Sequence, residues 1–281
     1  MSNIKIAIQG IKGSNHYLVA TEFFGQDTDL KECLSFDTLV DCLVSESCSL
    51  GIMAIENTIA GSIIPNYALI DRNALAITGE YYLNIHHHLM ALPGQTLEDI
   101  KEVCSHPMAL LQCKDFFKEH KHIRLVEDSD TAEVAQRISK NQLRGIAAIA
   151  PKVAADLFDL QILEDEIQTI KNNATRFVIL QKKTDEHRIV DEKEINKASL
   201  KFMLDHKRGS LAAVLNVMSD CKLNLTKIQS LPKIETPWKY AFFVDVTFDE
   251  YQDYTKAKAI IEIMAEEFKI LGEYKNGRES K

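Results

Sequence analysis

A hydroxyl and a guanidinium stand side by side in Asn173-Ala174-Thr175-Arg176-Phe177, at the entrance to an apolar stretch that runs to Leu180. Neighbours in a strand point to opposite faces, so Thr175 and Arg176 serve different sides of a sheet edge. The guanidinium suits a carboxylate held bidentately, and equally a structural pair with Glu56. A second polar cluster, Glu56-Asn57-Thr58-Ile59-Ala60-Gly61-Ser62, follows the apolar run Gly51 to Ile55. Ligands of α/β sheets sit at the carboxyl ends of strands; Asn and Thr there also suit a helix cap and a turn. The third cluster, Gly10-Ile11-Lys12-Gly13-Ser14, joins a strand pattern to a helix pattern, where backbone N–H groups and a helix dipole can receive an anion. Its spacing is neither a dinucleotide fingerprint nor a P-loop, and a simple tight turn accounts for it as well.

His86-His87-His88 invites a metal reading. Strand alternation lets only His86 and His88 share an ion, and no third ligand is evident. Hydrogen-bonded histidines are the better reading, and no metal is expected. The sequence has no G-x-S-x-G elbow and no convincing Cys–His nucleophile pair.

These residues need a scaffold, and apolar periodicity supplies one. Ile4 to Ile8 reads as a strand, a helix starts near Asn15 or His16, and Leu34 to Phe36 reads as a short strand. Thr38 to Leu43 has helical spacing, and Gly51 to Ile55 is a buried strand. Ser105-His106-Pro107 marks a helix start. Strand Ile123 to Val126, helix Asp130 to Ser139, strand Ile146 to Ile149, helix Pro151 to Phe158 and strand Thr175 to Leu180 follow. This alternation predicts α/β layering with mostly parallel sheets. Lys182 to Lys197 is charged and poor in apolar residues, the best linker in the chain. Beyond it come strand Ser199 to Leu204, helix Ser210 to Asp220, and strands Leu225 to Ser230 and Tyr240 to Phe248. Helix Tyr254 to Glu267 and a further strand near Leu271 to Tyr274 complete a ferredoxin-like pattern.

At 281 residues the chain holds roughly two domains of ~150. With 46% hydrophobic and 26% charged residues, disorder of the whole chain is excluded. Asp and Glu number 41 against 33 Lys and Arg, a net charge of −8. Nucleic acid and anionic membranes both need a basic patch, so neither is expected as a partner. No apolar run approaches the ~20 residues of a membrane span. The N-terminus leads straight into a strand pattern, and the six cysteines form no C-x-x-C pair. A reduced, cytoplasmic protein is the expectation.

Taken together, the motifs resemble prephenate dehydratase over nearly the whole chain. The family's GxxG(T/S) loop stands at Gly10 to Ser14, its (P)xENSxxGS motif at Ile55 to Ser62, and its (S/D)TAxxA stretch at Asp130 to Ala135. SHPQALxQC stands at Ser105-His106-Pro107-Met108-Ala109-Leu110-Leu111-Gln112-Cys113, and NxTRF at Asn173 to Phe177. The C-terminal part is similar to an ACT domain. Gly209-Ser210-Leu211 matches its GAL turn, Leu223 to Ile228 matches INLTKI, and Trp238 to Asp245 matches the next strand. Departures are Ala54 for proline, Thr58 for serine, Asn15 for phenylalanine, and Arg208 for the proline before the glycine. The effector motif ESRP reads Gln229-Ser230-Leu231-Pro232.

The resemblance implies an α/β catalytic part over residues 1–182, two-lobed and periplasmic-binding-protein-like, with lobes of about 1–80 plus 168–182 and about 81–167. A linker at 183–197 and a ferredoxin-like ACT domain at 198–275 follow. The implied activity is the cofactor-free, decarboxylating dehydration of prephenate to phenylpyruvate in L-phenylalanine biosynthesis, in the monofunctional form. Thr175 is then nearest the leaving oxygen, Arg176 is an anion anchor and Phe177 an apolar wall. Ser14, Glu56, Asn57, Thr58, Gly61, Ser62 and Thr131 surround the substrate. Arogenate dehydratase is the near alternative, and a non-catalytic amino-acid sensor the distant one. L-Phenylalanine is the implied effector, at Gly209, Ser210, Leu211, Asn224 and Leu225, in a homodimer or homotetramer.

Overall fold

Ile6-Ala7-Ile8 is wholly buried, as a strand covered on both faces requires. A computed structural model describes residues 4–183, 194–232 and 239–278. Most of the stretch read as a linker, 184–193, lies outside the described residues, as does Trp238. In chain order the elements are β1 (Lys5–Gln9), α1 (Asn15–Phe24), β2 (Asp29–Cys33), α2 (Phe36–Val44), β3 (Leu50–Asn57), β4 (Gly61–Ser62), α3 (Ile64–Arg72) and β5 (Leu75–Asn84). Then come β6 (His88–Ala91), β7 (Glu102–Ser105), α4 (Pro107–Gln112), β8 (Arg124–Glu127), α5 (Thr131–Asn141), β9 (Ile146–Ala150), α6 (Lys152–Leu157), β10 (Gln161–Glu164) and β11 (Ala174–Lys182). The last are β12 (Lys197–Met203), α7 (Ser210–Asp220), β13 (Asn224–Pro232), β14 (Tyr240–Thr247), α8 (Tyr251–Met264) and β15 (Glu267–Tyr274). Contacts divide the chain into two compact units, Met1–Ile63 with Tyr82–Phe177, and Ile64–Tyr81 with Val178–Lys281.

In the first unit β1 lies between β2 and β3, parallel to both. No strand forms at Leu34 to Phe36. Leu34 is exposed and the Ser35 hydroxyl caps α2, accepting from the Thr38 N–H at 3.1 Å. The strand is β2 instead, an edge of Asp-Leu-Lys-Glu-Cys whose charged, mostly exposed residues carry no apolar alternation. The second sheet runs β10-β6-β9-β7-β8. It is mixed rather than mostly parallel, because β6 and β10 are antiparallel to their neighbours. Val134, Ala135 and Ile138 of α5 and Ala154 of α6 pack together with Met90, Ala148 and Ala150 of this sheet.

Within the second unit, β12 to β15 with α7 and α8 have the βαββαβ order that the sequence predicts. Their strands, in the order β13-β14-β12-β15, are antiparallel to one another, with β5 added parallel to β15. Helix α8 stops at Met264, three residues short of the expected end, and β15 begins at Glu267. Strand β12 alternates as Lys-Ala-Ser-Leu-Lys-Phe-Met, and both its faces are buried. Ala198, Leu200 and Phe202 join Val214, Met218, Tyr254 and Ile261 in an apolar core beneath α7 and α8. The other face is polar. The Lys197 ammonium donates to both Glu80 carboxylate oxygens at 2.8 and 2.9 Å, and Lys201 donates to Asp71 at 2.7 Å and Glu267 at 2.8 Å. Burial alone raises the Asp71 pKa, but hydrogen bonds from Lys201 and Lys269 outweigh it and hold the carboxyl below its ordinary value. At Gly272, beside Ile77, a Cβ would lie 2.2 Å from the Ile77 carbonyl oxygen, so no side chain fits.

Lys197 and Glu80 are 3% and 0% exposed, and a charge left alone there has no water to receive it. Lys197→Met should therefore cost about 3–5 kcal/mol in denaturant unfolding. The double variant Lys197→Met, Glu80→Gln should recover most of that loss.

Candidate active site

Three glycine- and polar-rich junctions meet at one cavity of about 370 Å³ in the first unit. Gly13 has φ +96°, and a side chain there would come within 3.2 Å of the Phe158 ring. That turn delivers Ser14 to the start of α1, where its hydroxyl accepts from the Tyr17 N–H at 3.2 Å. Asp130 caps α5 in the same way, with Oδ1 accepting from Ala132 and Glu133 N–H at 2.8 and 3.0 Å. Ser14, Asn57, Thr131, Thr175 and Phe177, five of the residues singled out in the sequence, line the cavity together. His16, His87, Gln112 and Asp130 line it as well.

Asn57 organises this wall. Its Oδ1 accepts from the N–H groups of Ile59 and Ala60 at 3.0 and 2.9 Å, so its nitrogen must face the other way. That nitrogen donates to Asn173 Oδ1 at 2.7 Å and to Thr175 Oγ1 at 2.9 Å. Since Thr175 Oγ1 accepts from Asn57, the hydroxyl keeps its own hydrogen to donate. Asn173 Nδ2 continues to Gln112 Oε1 at 2.9 Å, and Gln112 Oε1 lies 2.8 Å from His87 Nε2.

Other singled-out residues do not line the cavity. Arg176 is buried on the opposite face of β11 from Thr175 and Phe177, by plain strand alternation. Thr58 ties β3 to β11: its N–H donates to the Ala174 carbonyl at 2.9 Å, and its hydroxyl accepts from the Ala174 N–H at 3.0 Å. Glu56 pairs with Ser62, and Asn57 with Gly61, in the β3–β4 turn that holds the Asn57 loop. In the second unit, Gly209, Ser210 and Leu211 open α7, and Asn224 and Leu225 open β13; Leu211 and Leu225 pack against the apolar core. Of the wall, His16, His87, Gln112 and Asp130 were missed as site residues, although Gln112 and Asp130 lie within two of the motifs. For His87 the available signal was its parity, opposite to His86 and His88.

Helix starts and the Asp130 carboxylate set the electrostatics of the cavity. Helices α1, α4 and α5 all begin on its rim, through Ser14, His106 and Thr131. No lysine or arginine is among the described residues that line it. His16 sits edge-on to Phe177, with ring centroids 4.9 Å apart, and accepts the Ala54 N–H on Nε2 at 3.4 Å. Burial pushes its pKa down to about 3, so it is neutral in the folded protein.

An unfolded histidine takes up a proton below about 6.5, whereas folded His16 does so only near 3. Between those values the unfolded state binds more protons, so stability is intact above the window and falls as pH drops through it. Wild type should lose up to about 1.4 kcal/mol per pH unit more than His16→Gln between pH 6 and 4, in urea unfolding at each pH.

Comparison with known proteins agrees with this cavity and its motifs. A family model described as "Prephenate dehydratase" matches residues 6–185. The chain is 31% identical to "Arogenate dehydratase/prephenate dehydratase 2, chloroplastic" of Arabidopsis thaliana, over 97% of this chain and 73% of the relative. It is 28% identical to a "Bifunctional chorismate mutase/prephenate dehydratase" of Enterobacter agglomerans, over 96% of this chain and 70% of the relative. Among eight such relatives, the chain spans 57 to 73% of the relative's length. A prephenate dehydratase of Arthrobacter aurescens, solved in complex with L-Phe, has the same fold at TM-score 0.87 and 22% identity, over 98% of this chain and 90% of that one. A family match that takes in every motif around the cavity, joined to relatives alike over almost all of the sequence, settles the placement: the chain belongs to the prephenate dehydratase family.

Proposed function

We propose that the chain converts prephenate to phenylpyruvate. The hydroxyl leaves the ring as water, taking up a proton that comes from solvent, and the ring carboxylate leaves as carbon dioxide. The electron pair of the breaking C–C bond completes the aromatic ring. Aromatisation supplies the driving force, so the site has to assist the departing oxygen and hold the side-chain carboxylate without trapping the carboxylate that must leave. The observation that carries this reading is the Asn57-to-Thr175 hydrogen bond, which leaves the Thr175 hydrogen to be spent on the leaving oxygen. A threonine hydroxyl is too weak an acid to give its proton away outright at neutral pH, so Thr175 acts as a donor to developing charge. The start of α1 receives the substrate's charge, that of α5 being met by the Asp130 carboxylate, and Phe177 keeps water away from the reacting ring. Arg176 acts from behind the strand, and Glu56, Thr58, Gly61 and Ser62 shape the loop that carries Asn57.

Arogenate, the aminated analogue, is the second reading. It is favoured by Asp130, a carboxylate on a wall without lysine or arginine and so a partner for an ammonium group. The name of the Arabidopsis relative allows both substrates. The C-terminal βαββαβ unit is an ACT domain that brings L-phenylalanine inhibition to a cytoplasmic homodimer or homotetramer, with Gly209, Ser210, Leu211, Asn224 and Leu225 at the effector. The L-Phe complex of the Arthrobacter aurescens protein supports that reading.

Purified protein given prephenate and arogenate separately, with chelator present, should form phenylpyruvate from the first. Phenylalanine formed only from arogenate would select the second reading, and no product from either would leave the sensor. Thr175→Val should lower kcat by about 10²–10³ with native circular dichroism, because valine keeps the branched shape and loses the donor. A fall of less than about threefold would remove Thr175 from the chemistry. Restoring the effector motif with Gln229→Glu and Leu231→Arg should strengthen inhibition by L-phenylalanine in the same assay.

A further inference from the structure

The directions of the hydrogen bonds across the cavity wall are set from the main chain outward, and they end on an imidazole. Main-chain N–H groups can only donate, so the bonds from Ile59 and Ala60 make Asn57 Oδ1 the acceptor. Asn57 Nδ2 then donates to Asn173 Oδ1, Asn173 Nδ2 donates to Gln112 Oε1, and His87 Nε2 faces an oxygen. An oxygen has no hydrogen to give, so His87 Nε2 carries one. Gln112 Oε1, accepting from two sides, has both lone pairs in use. The amide nitrogen of Gln112 makes no bond to another described residue, and Gln112 lines the cavity.

We propose that His87, as the neutral tautomer with its hydrogen on Nε2, is a positioning residue. It pins the Gln112 carbonyl and so presents the Gln112 NH₂ to the cavity as a donor for a substrate oxygen. The inference rests on the dehydratase reading for what that oxygen belongs to, and on geometry alone for the tautomer. The His87 main chain is fastened on both sides, its N–H donating to Gln168 Oε1 at 2.9 Å and its carbonyl accepting from the Ile167 N–H at 2.8 Å. Its Nδ1 is buried with no partner among the described residues, so nothing on the far side competes for the ring. Burial moves the ring's pKa down and outweighs the opposing hydrogen bond with Gln112. A flipped Gln112 would set its NH₂ against both the Asn173 NH₂ and His87, which is why one orientation is held.

Two measurements on the full chain test this. Long-range proton–nitrogen spectra of histidine-labelled protein at pH 7, with His87 assigned by its loss in His87→Gln, should show hydrogen on Nε2 only. Hydrogen on Nδ1, or a cation, overturns the proposal. In the activity assay, His87→Met, close in size but without a donor, should lower kcat/KM about 10- to 100-fold. His87→Gln, which keeps an N–H at similar reach, should stay within about threefold and keep the wild-type pH profile. Equal losses in both variants, with native circular dichroism, would reduce His87 to space-filling. A missing ionisation in the His87→Gln profile would make it an acid or base instead. If wild type consumes neither prephenate nor arogenate, the functional reading falls and the spectrum still decides the tautomer.

Discussion

The Asn57 carboxamide has a single orientation, because the N–H groups of Ile59 and Ala60 both meet its oxygen and can only donate. With the oxygen spent, the amide nitrogen only donates, to Asn173 and Thr175 at the shortest range and to the Ala174 carbonyl at 3.3 Å. An amide is otherwise ambiguous, since its two ends are nearly the same size and differ only in whether they give or take a hydrogen. A turn of main chain removes that ambiguity here and passes the decision along a line of side chains. Low local dielectric strengthens each link and raises the cost of a missing one, so such a wall is kept whole or lost as a unit. The β3–β4 turn and the Thr58 tie to Ala174 matter because they hold the two N–H groups where Asn57 needs them.

On the dehydratase reading, the same wall would hold a doubly charged substrate without a lysine. Dipoles at the starts of helices are spread over several N–H groups, and they bind charge more diffusely than an ammonium does. On the dehydratase reading this matters, because one of the two carboxylates has to be released as a neutral gas. A fixed cation against it would stabilise the ground state more than the transition state. Arg176, next to Thr175 in sequence, is kept on the other face of the strand.

How much of this was legible depends on which physical signal each residue carries. The Asp130-capped start of α5 and buried strands such as Leu50–Asn57 were readable, because apolar period and capping chemistry are local, while Ser35, the cap of α2, reads in the sequence as part of a strand. β2 was not, since an exposed edge strand needs no apolar alternation. The clustering of Ser14, Asn57, Thr131, Thr175 and Phe177 was implied by the resemblance to the family's motifs, whereas the strand-end rule alone left each cluster open between a turn and a site. The hydrogen-bond direction was invisible, because it turns on main-chain groups two and three residues beyond Asn57. His87 was hidden between two other histidines, and only its partner Gln112, 25 positions away, gives it meaning.

Strand β12 carries lysines at two inward positions, and their carboxylates come from residues 117 and 130 positions earlier. A βαββαβ unit usually travels well between proteins, because its uncovered face is either wet or greasy and can find a new neighbour. This one is salted. A gene fragment cut at the charged stretch before Lys197 would encode a sheet in which Lys197 lacks Glu80 and Lys201 keeps Glu267 but loses Asp71. Recombination that keeps the module must bring Asp71 and Glu80 along, so two stretches far apart in the gene are inherited as one piece.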